Sequence, residues 1–217
     1  MMKQIKKSQE PPSLLAHRKK SHANYDNYPE KEDLREALVK EQGYICCYCM
    51  QRIAPNSDKM KIEHCQPQKK YPELQLDYQN LLASCKGNDG GPKHLARHCD
   101  TSKGEQEIML NPAEQSKNCE SLIKYKSNGL IYSDAPKINK ALNDILNLNT
   151  QTLVNNRKAI LDQVKKELIN IKGRNAAWSS SDIERKIEEY QSQINGKYKP
   201  YCQVVIYFLN KRIGKNA

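Results

Sequence analysis

The pattern of apolar and polar positions predicts a mainly helical chain. Residues 29–43 begin with acidic side chains, continue with apolar ones at helical spacing and end at Gly43, which indicates one helix. A second, longer helix is predicted from one apolar stripe at three-, four- and seven-residue offsets: Leu153, Ile160, Val164, Leu168 and Ile171. Two further helices follow it, one starting with a capping box at Ser181 and one with Pro200 in its first turn.

Strand-like patterns are short. Residues 121–133 predict two strands joined by Asn128-Gly129, a dipeptide that tolerates positive φ and marks hairpins. Residues 1–29 are polar and basic and lack apolar periodicity, so they predict an N-terminal arm rather than a packed element. The predicted division is a basic arm (1–29), a cysteine-containing core (30–112) and a region of hairpin and helices (113–217) that packs on the core or on a partner.

Composition and charge limit the possible partners and cellular location of the protein. The formal net charge of +11 suggests an anionic partner such as nucleic acid, because clustered Lys and Arg release counterions from phosphates; a merely soluble basic protein is the alternative. No apolar run approaches the roughly 20 residues that cross a bilayer, and the basic N-terminus lacks the apolar segment of a signal peptide. We therefore expect a cytoplasmic protein without a membrane partner. The eight cysteines then favour metal ligation over disulfides.

Four of the cysteines have the spacing of a structural zinc site. Cys46 and Cys49 form a CxxC pair, which can bring two thiolates to one tetrahedral ion at about 2.3 Å. Cys85 and Cys99 are predicted to supply the other ligands, with His98 as the alternative to Cys99. Thirteen residues, KGNDGGPKHLARH, separate them, and the glycines and proline indicate an excursion whose ends meet. The remaining cysteines are expected to be ordinary buried thiols or bystanders: Cys47, Cys65, Cys119 and Cys202.

Side chains suited to metal-assisted hydrolysis lie within the segment of the four predicted zinc ligands and directly after it. The imidazole of His64 has the intrinsic pKa to deprotonate water near neutral pH. The carboxylates of Glu63 and Asp100 suit Mg²⁺ or Mn²⁺, whereas thiolates suit zinc. Adjacent residues point opposite ways on a regular strand, so Glu63 and His64 can serve one site only if His64 ends the strand, before the loop around Pro67. A surface or zinc-adjacent histidine is the alternative.

The motifs Glu63-His64, Asn80 in QNLL and CDTSK together resemble the HNH endonucleases. That resemblance implies an α+β, mainly helical fold: a zinc-stapled ββα-metal core around one divalent metal ion, with a C-terminal helical region. It matches Glu63 to a metal-binding carboxylate, His64 to the general base and Asn80 to the residue that braces the hairpin loop. Asp100 matches the second metal ligand, and Lys103 a lysine common three residues later. The sequence departs from the family pattern in three respects. Glu63 stands where the family usually has Asp, Asp100 stands where it usually has His or Asn, and the excursion is an insertion.

Longer phrases extend the resemblance: CCYCMQRI, IEHCQP, YPELQLDYQNLLASCKG, CDTSKGE and LNLNTQTLVNNRK. They are similar to the HNH effectors of bacterial anti-phage defence, the PtuB-type subunits of Septu systems and of certain retrons. In that family the nuclease works with PtuA, an ATPase with ABC-type domains, and retron versions add a reverse transcriptase with its RNA–DNA hybrid. The resemblance implies a metal-dependent nuclease, acting on DNA by default and on RNA as an alternative. A zinc-stapled binding or scaffold module without chemistry is the competing hypothesis.

Overall fold

The structure is a computed structural model that describes residues 2–172 and 178–214, without the side chains at 171 and 172. The predicted stripe residue Ile171 therefore lies outside the described side chains. The elements in chain order are α1 (Pro12–Arg18), α2 (Lys31–Glu41), β1 (Met60–His64), β2 (Leu81–Cys85), α3 (Asp100–Lys103), α4 (Cys119–Leu122), β3 (Lys124–Tyr125), β4 (Ile131–Tyr132), α5 (Pro136–Lys140), α6 (Gln151–Lys172), α7 (Ser180–Gln191) and α8 (Cys202–Arg212). Short 3-10 turns at Pro72–Leu74 and Tyr78–Asn80 and a π-helical turn at Ala141–Ile145 complete the path. The predicted α+β class and the predominance of helix are confirmed. None of the described helices is long and apolar enough to span a bilayer.

An antiparallel hairpin forms the centre of the first half of the chain. In the β1–β2 register Met60 lies opposite Cys85, and His64 lies opposite Leu81. The Gln42 side chain, just after α2, accepts from Ala83 N at 2.7 Å and donates to Ala83 O at 2.9 Å. This buried amide satisfies the free edge of β2 as a third strand would, so α2 is fixed to the hairpin.

The N-terminal residues are packed, so the prediction of an unpacked arm at residues 1–29 is wrong. Met2 is fully buried, and Ile5 N donates to Pro112 O at 2.8 Å. The Lys7 ammonium forms a buried ion pair with Glu41 at the end of α2. Burial lowers the pKa of Lys7, and Glu41 opposes that effect. The apolar residues here are too sparse and irregular to show periodicity, although Met2, Ile5 and Leu14 are buried in the core.

The second half of the chain consists of a small hairpin packed on helices. The predicted Asn128-Gly129 turn joins β3 and β4, and the stripe on α6 is buried at Leu153, Val164 and Leu168. Helix α8 packs against α6, α7 and β3. These contacts confirm the predicted hairpin and helices. The two domain boundaries at residues 30 and 113 stay predictions.

Two predicted helix starts are displaced in the structure. The N-cap of α7 is Ser179, whose Oγ accepts from Asp182 N at 3.2 Å, so the capping box lies two residues before Ser181. Helix α8 begins at Cys202, after Tyr201 in the left-handed region, so Pro200 precedes the helix rather than occupying its first turn. Both starts were predicted from local signals alone, and at α7 Ser179 is as suitable an N-cap residue as Ser181.

Candidate metal centre and active-site cleft

Four buried cysteines converge at one point. The Sγ atoms of Cys46, Cys49, Cys85 and Cys99 all lie within 4.8 Å of one another. The Cys46–Cys99 and Cys49–Cys85 separations are 3.9 and 3.8 Å. A tetrahedral ion with bonds of about 2.3 Å to sulfur requires sulfur–sulfur edges of about 3.8 Å. This donor set therefore fits a structural zinc ion, and the predicted cysteine cluster is confirmed.

Backbone hydrogen bonds hold the cysteines of this cluster in place. Cys85 N donates to Cys46 Sγ at 3.3 Å, an N–H···S contact that stabilises a thiolate. Met50 N donates to Cys46 O at 3.1 Å, which closes the turn carrying the CxxC pair. The Cys99 backbone is held in its place by a 2.8 Å bond from its N–H to Leu146 O, in the second half of the chain.

The excursion, residues 86–98, closes at its base as predicted. His98 N donates to Gly87 O at 3.1 Å, and a Cβ at Gly87 would lie 2.0 Å from His98 O. Gly87 also has a φ of +57°, so only glycine fits this crossing without strain. His98 Nδ1 lies 3.2 Å from Cys99 Sγ and is a neighbour of the four-cysteine cluster. The other four cysteines are buried and lie outside that cluster.

A small cleft of about 90 Å³ opens beside the four-cysteine cluster, where the end of β1 meets α3. We define the cleft by Glu63, His64, Asp100 and Lys103, which all line it. Asp100 is the first residue of α3 and directly follows Cys99 of the four-cysteine cluster, so this cluster fixes its position. The structure thus brings together the predicted carboxylates, histidine and lysine, while Asn80 lies behind them.

Glu63 is buried at the back of the cleft. Its Oε1 accepts from Tyr48 Oη at 2.7 Å and from Lys103 Nζ at 2.8 Å, and neither bond uses Oε2. Burial and the neighbouring Asp100 carboxyl raise the pKa of Glu63 well above its usual range, against the opposing effect of Lys103. Two adjacent carboxyl groups are a suitable pair of oxygen donors for a divalent cation.

His64 is the last residue of β1, which is the strand-end position that a shared site requires. Its Nε2–H donates to Gln75 O at 3.0 Å, which leaves the Nδ1 lone pair as the basic atom. The Tyr25 ring packs edge-on against the imidazole, with centroids 4.6 Å apart. Burial lowers the pKa of His64, so the ring is neutral at pH 7.

Asn80 braces the loop between the two strands. Its Oδ1 accepts from Gln66 N at 2.7 Å, and its Nδ2 donates to Gln66 O at 3.0 Å and Leu74 O at 3.2 Å. This loop carries Gln75, the acceptor for His64. Asn80 therefore acts on the cleft through the backbone that orients the imidazole, and its side chain is not among those that line the cleft.

Sequence reasoning missed several residues that support the cleft. Tyr48 lies between the two cysteines of the CxxC pair, and that position is a signal that could have found it. Lys61 lies two positions before Glu63 on the same strand, and its ammonium contacts Asp100 at 3.6 Å and Asp89 of the excursion at 2.9 Å. Gln75 contacts His64 through its backbone carbonyl, for which side-chain motifs give no signal.

Comparison with known proteins gives one partial similarity. No family model matches the sequence. The chain is 32% identical over 82 residues to the Septu protein PtuB of Bacillus thuringiensis. The aligned part is 38% of this chain and 29% of that protein, so the match spans less than a third of the relative's length. This similarity supports a relation to a Septu-type defence component, and the four-cysteine cluster fits a zinc-stapled module.

Proposed function

We propose that the protein is a metal-dependent HNH endonuclease that hydrolyses nucleic-acid phosphodiester bonds. One observation carries this proposal: a neutral histidine with an orienting carbonyl and two adjacent carboxyl groups line one cleft, at the end of a hairpin and the start of a helix. The β1–β2 hairpin followed by α3 supports a ββα-metal core of this class. DNA is the default substrate, and the same chemistry would also act on RNA.

Two kinds of metal ion suit the residues present. The four cysteines would hold Zn²⁺ and stabilise the fold, because structural zinc sites contribute folding free energy. Glu63 and Asp100 would hold Mg²⁺ or Mn²⁺, since hard cations prefer carboxylate oxygens. When bound, that cation supplies charge neutralisation at the phosphoryl oxygens and the leaving oxygen.

The protein's own groups then have separate roles. His64 Nδ1 accepts the proton of the attacking water, because Nε2–H is committed to Gln75 O. Lys103 is buried and holds Glu63 together with the His64 carbonyl, so it is a positioning residue. Asn80 is also a positioning residue, since it fixes the loop that carries the Gln75 carbonyl.

We further propose that this nuclease is the effector of a bacterial, cytoplasmic anti-phage defence complex. The similarity to a Septu protein PtuB supports this role. The proposed partners are nucleic acid, a PtuA-type ATPase subunit and, in a retron setting, a reverse transcriptase with its RNA–DNA hybrid. The net charge of +11 supports the nucleic-acid partner.

His64→Ala tests the proposed general base. Wild type and variant are incubated with plasmid DNA and with RNA in Mg²⁺ or Mn²⁺, both alone and with the ATPase partner. We expect the variant to lose cleavage by about 10²- to 10⁴-fold, with zinc content and unfolding temperature close to wild type. The control His22→Ala alters an exposed histidine and should cleave normally.

Two outcomes would contradict the proposal. Cleavage by His64→Ala at the wild-type rate would remove the assigned base. Absence of wild-type cleavage in every setting, with binding to partner or nucleic acid retained, would favour the non-catalytic scaffold module.

A further inference from the structure

A second cavity, of about 460 Å³, lies between the β3–β4 hairpin and helices α6 and α8. It shares no lining residue with the cleft. Only 6% of the chain is aromatic, yet four aromatic side chains line this cavity, including the single phenylalanine. They are Tyr125, Tyr132, Tyr207 and Phe208. We call this site the aromatic cavity.

Two of these rings present accessible faces. Tyr132 and Phe208 are half-buried, whereas Tyr125 and Tyr207 are buried. The Lys126 ammonium lies 5.7 Å from the centre of the Tyr132 ring, and the Lys165 ammonium lies 5.3 Å from that of Phe208. Arg212 also lies 5.5 Å from the centre of the Phe208 ring, so flexible cations cover the parts of both rings that the core leaves open. A planar ligand can displace such an ammonium and stack on the ring in its place.

The charge of the aromatic cavity is positive. Lys126 and Lys211 line it and are exposed, and neither has an ion-pair partner within the described part of the chain. No acidic side chain is among its described lining residues. The acidic residues next to this surface in the sequence, Asp134 and Asp162, are each paired with other lysines. Stacking surfaces beside uncompensated cations suit a ligand that carries both aromatic rings and negative charge.

We propose that the aromatic cavity binds single-stranded nucleic acid, with bases on Tyr132 and Phe208 and phosphates on Lys126 and Lys211. A single strand fits better than a duplex because only unstacked bases present their faces to aromatic side chains. The contact is separate from the cleft and does not depend on cleavage. It would hold one part of a nucleic acid while another part reaches the rest of the protein.

Binding of a short fluorescein-labelled oligodeoxythymidine to the full chain tests this proposal, by fluorescence anisotropy without Mg²⁺ or Mn²⁺. We expect Tyr132→Leu to raise Kd about tenfold, since it removes a stacking ring but keeps an apolar side chain. Lys126→Ala combined with Lys211→Ala should also raise Kd and reduce the salt slope by about 1.4. A duplex of the same length should bind more weakly than the single strand and respond less to Tyr132→Leu.

The matched control is Lys137→Ala combined with Lys140→Ala, which removes the same charge from two exposed lysines of α5 outside the cavity. Equal losses of affinity in the two double variants would show that net charge alone causes the effect, and this would overturn the proposal. So would an unchanged Kd for a folded Tyr132→Leu. Complete displacement of the strand by a mononucleotide would indicate a nucleotide pocket instead. If the expected changes in Kd are found but the protein has no nuclease activity, only the endonuclease proposal is contradicted.

Discussion

The Lys103 ammonium lies 2.8 Å from Glu63 Oε1, and their side chains are only 1% and 2% exposed. The same ammonium donates to His64 O at 3.0 Å, so one buried cation ties the carboxylate to the end of β1. Removing one partner of such a pair leaves an uncompensated buried charge, which costs far more than the pair itself contributes. Lys103 therefore determines the position of both neighbouring groups.

Replacing Lys103 by methionine should lower the free energy of unfolding by about 3 kcal/mol, because Glu63 and the His64 carbonyl both lose a buried hydrogen-bond donor. Combining Lys103→Met with Glu63→Gln should recover part of that loss, since the amide carries no charge. Denaturant unfolding of the zinc-loaded proteins measures both values. Additive losses in the double variant would show that the two side chains are not coupled.

The cysteine cluster predicts a clear difference between two buried thiols. Cys85→Ser removes a proposed ligand, so zinc should fall well below about one ion per chain and the unfolding temperature should drop. Cys65→Ser changes a buried cysteine outside the cluster and should keep its zinc. Metal analysis of the purified variants measures this, and equal zinc content in both would contradict the assigned ligands.

Asn80 makes three hydrogen bonds to the loop backbone, so replacing it should disturb the loop that carries Gln75 and, through it, the cleft. Asn80→Ala should lower the free energy of unfolding by about 2 kcal/mol and reduce cleavage, because the Gln75 carbonyl is no longer fixed. Asn80→Asp keeps the acceptor for Gln66 N but loses the two donated bonds. Its second carboxylate oxygen faces Gln66 O and Leu74 O without a donor, so this variant should lose at least as much stability as Asn80→Ala. An Asn80→Ala variant with full cleavage would show that the loop does not orient His64.

Gly129 holds the β3–β4 turn against α6. It has a φ of +92°, and a Cβ there would lie 2.3 Å from Val154 O. Gly129→Ala should destabilise the protein by several kcal/mol, roughly 2 to 4, because both strain and overlap must be relieved. Gly196 also has a positive φ but no atom near its Cβ position, so Gly196→Ala should cost only about 1 kcal/mol. Thermal and denaturant unfolding compare the two, and equal losses would rule out the overlap with Val154.

A buried arginine links the hairpin to the helical region and was missed by sequence reasoning. An arginine on a helix is usually exposed, but Arg157 is only 1% exposed. Its guanidinium donates to Gly129 O at 2.6 Å and Leu148 O at 2.8 Å. Burial lowers the pKa of Arg157 to about 10. Helical periodicity places this residue beside the apolar stripe, but only the packed hairpin supplies its acceptors.

The sequence by itself determined the features that depend on neighbours along the chain. The apolar stripe of α6, the Asn128-Gly129 turn and the CxxC pair all follow from spacing, so their elements were predictable. The four-cysteine cluster was also predictable, because the glycines of the excursion allow its ends to meet.

The tertiary structure decided which groups share an environment. Burial of the N-terminal segment, the ion pair of Lys103 with Glu63 and the carbonyl that orients His64 all join residues distant in sequence. No local pattern encodes such contacts, because their free energy depends on desolvation and on the partners that the fold brings together. The sequence therefore supplied the chemical groups of the cleft, and the packing of β1 against α3 set their charges and orientations.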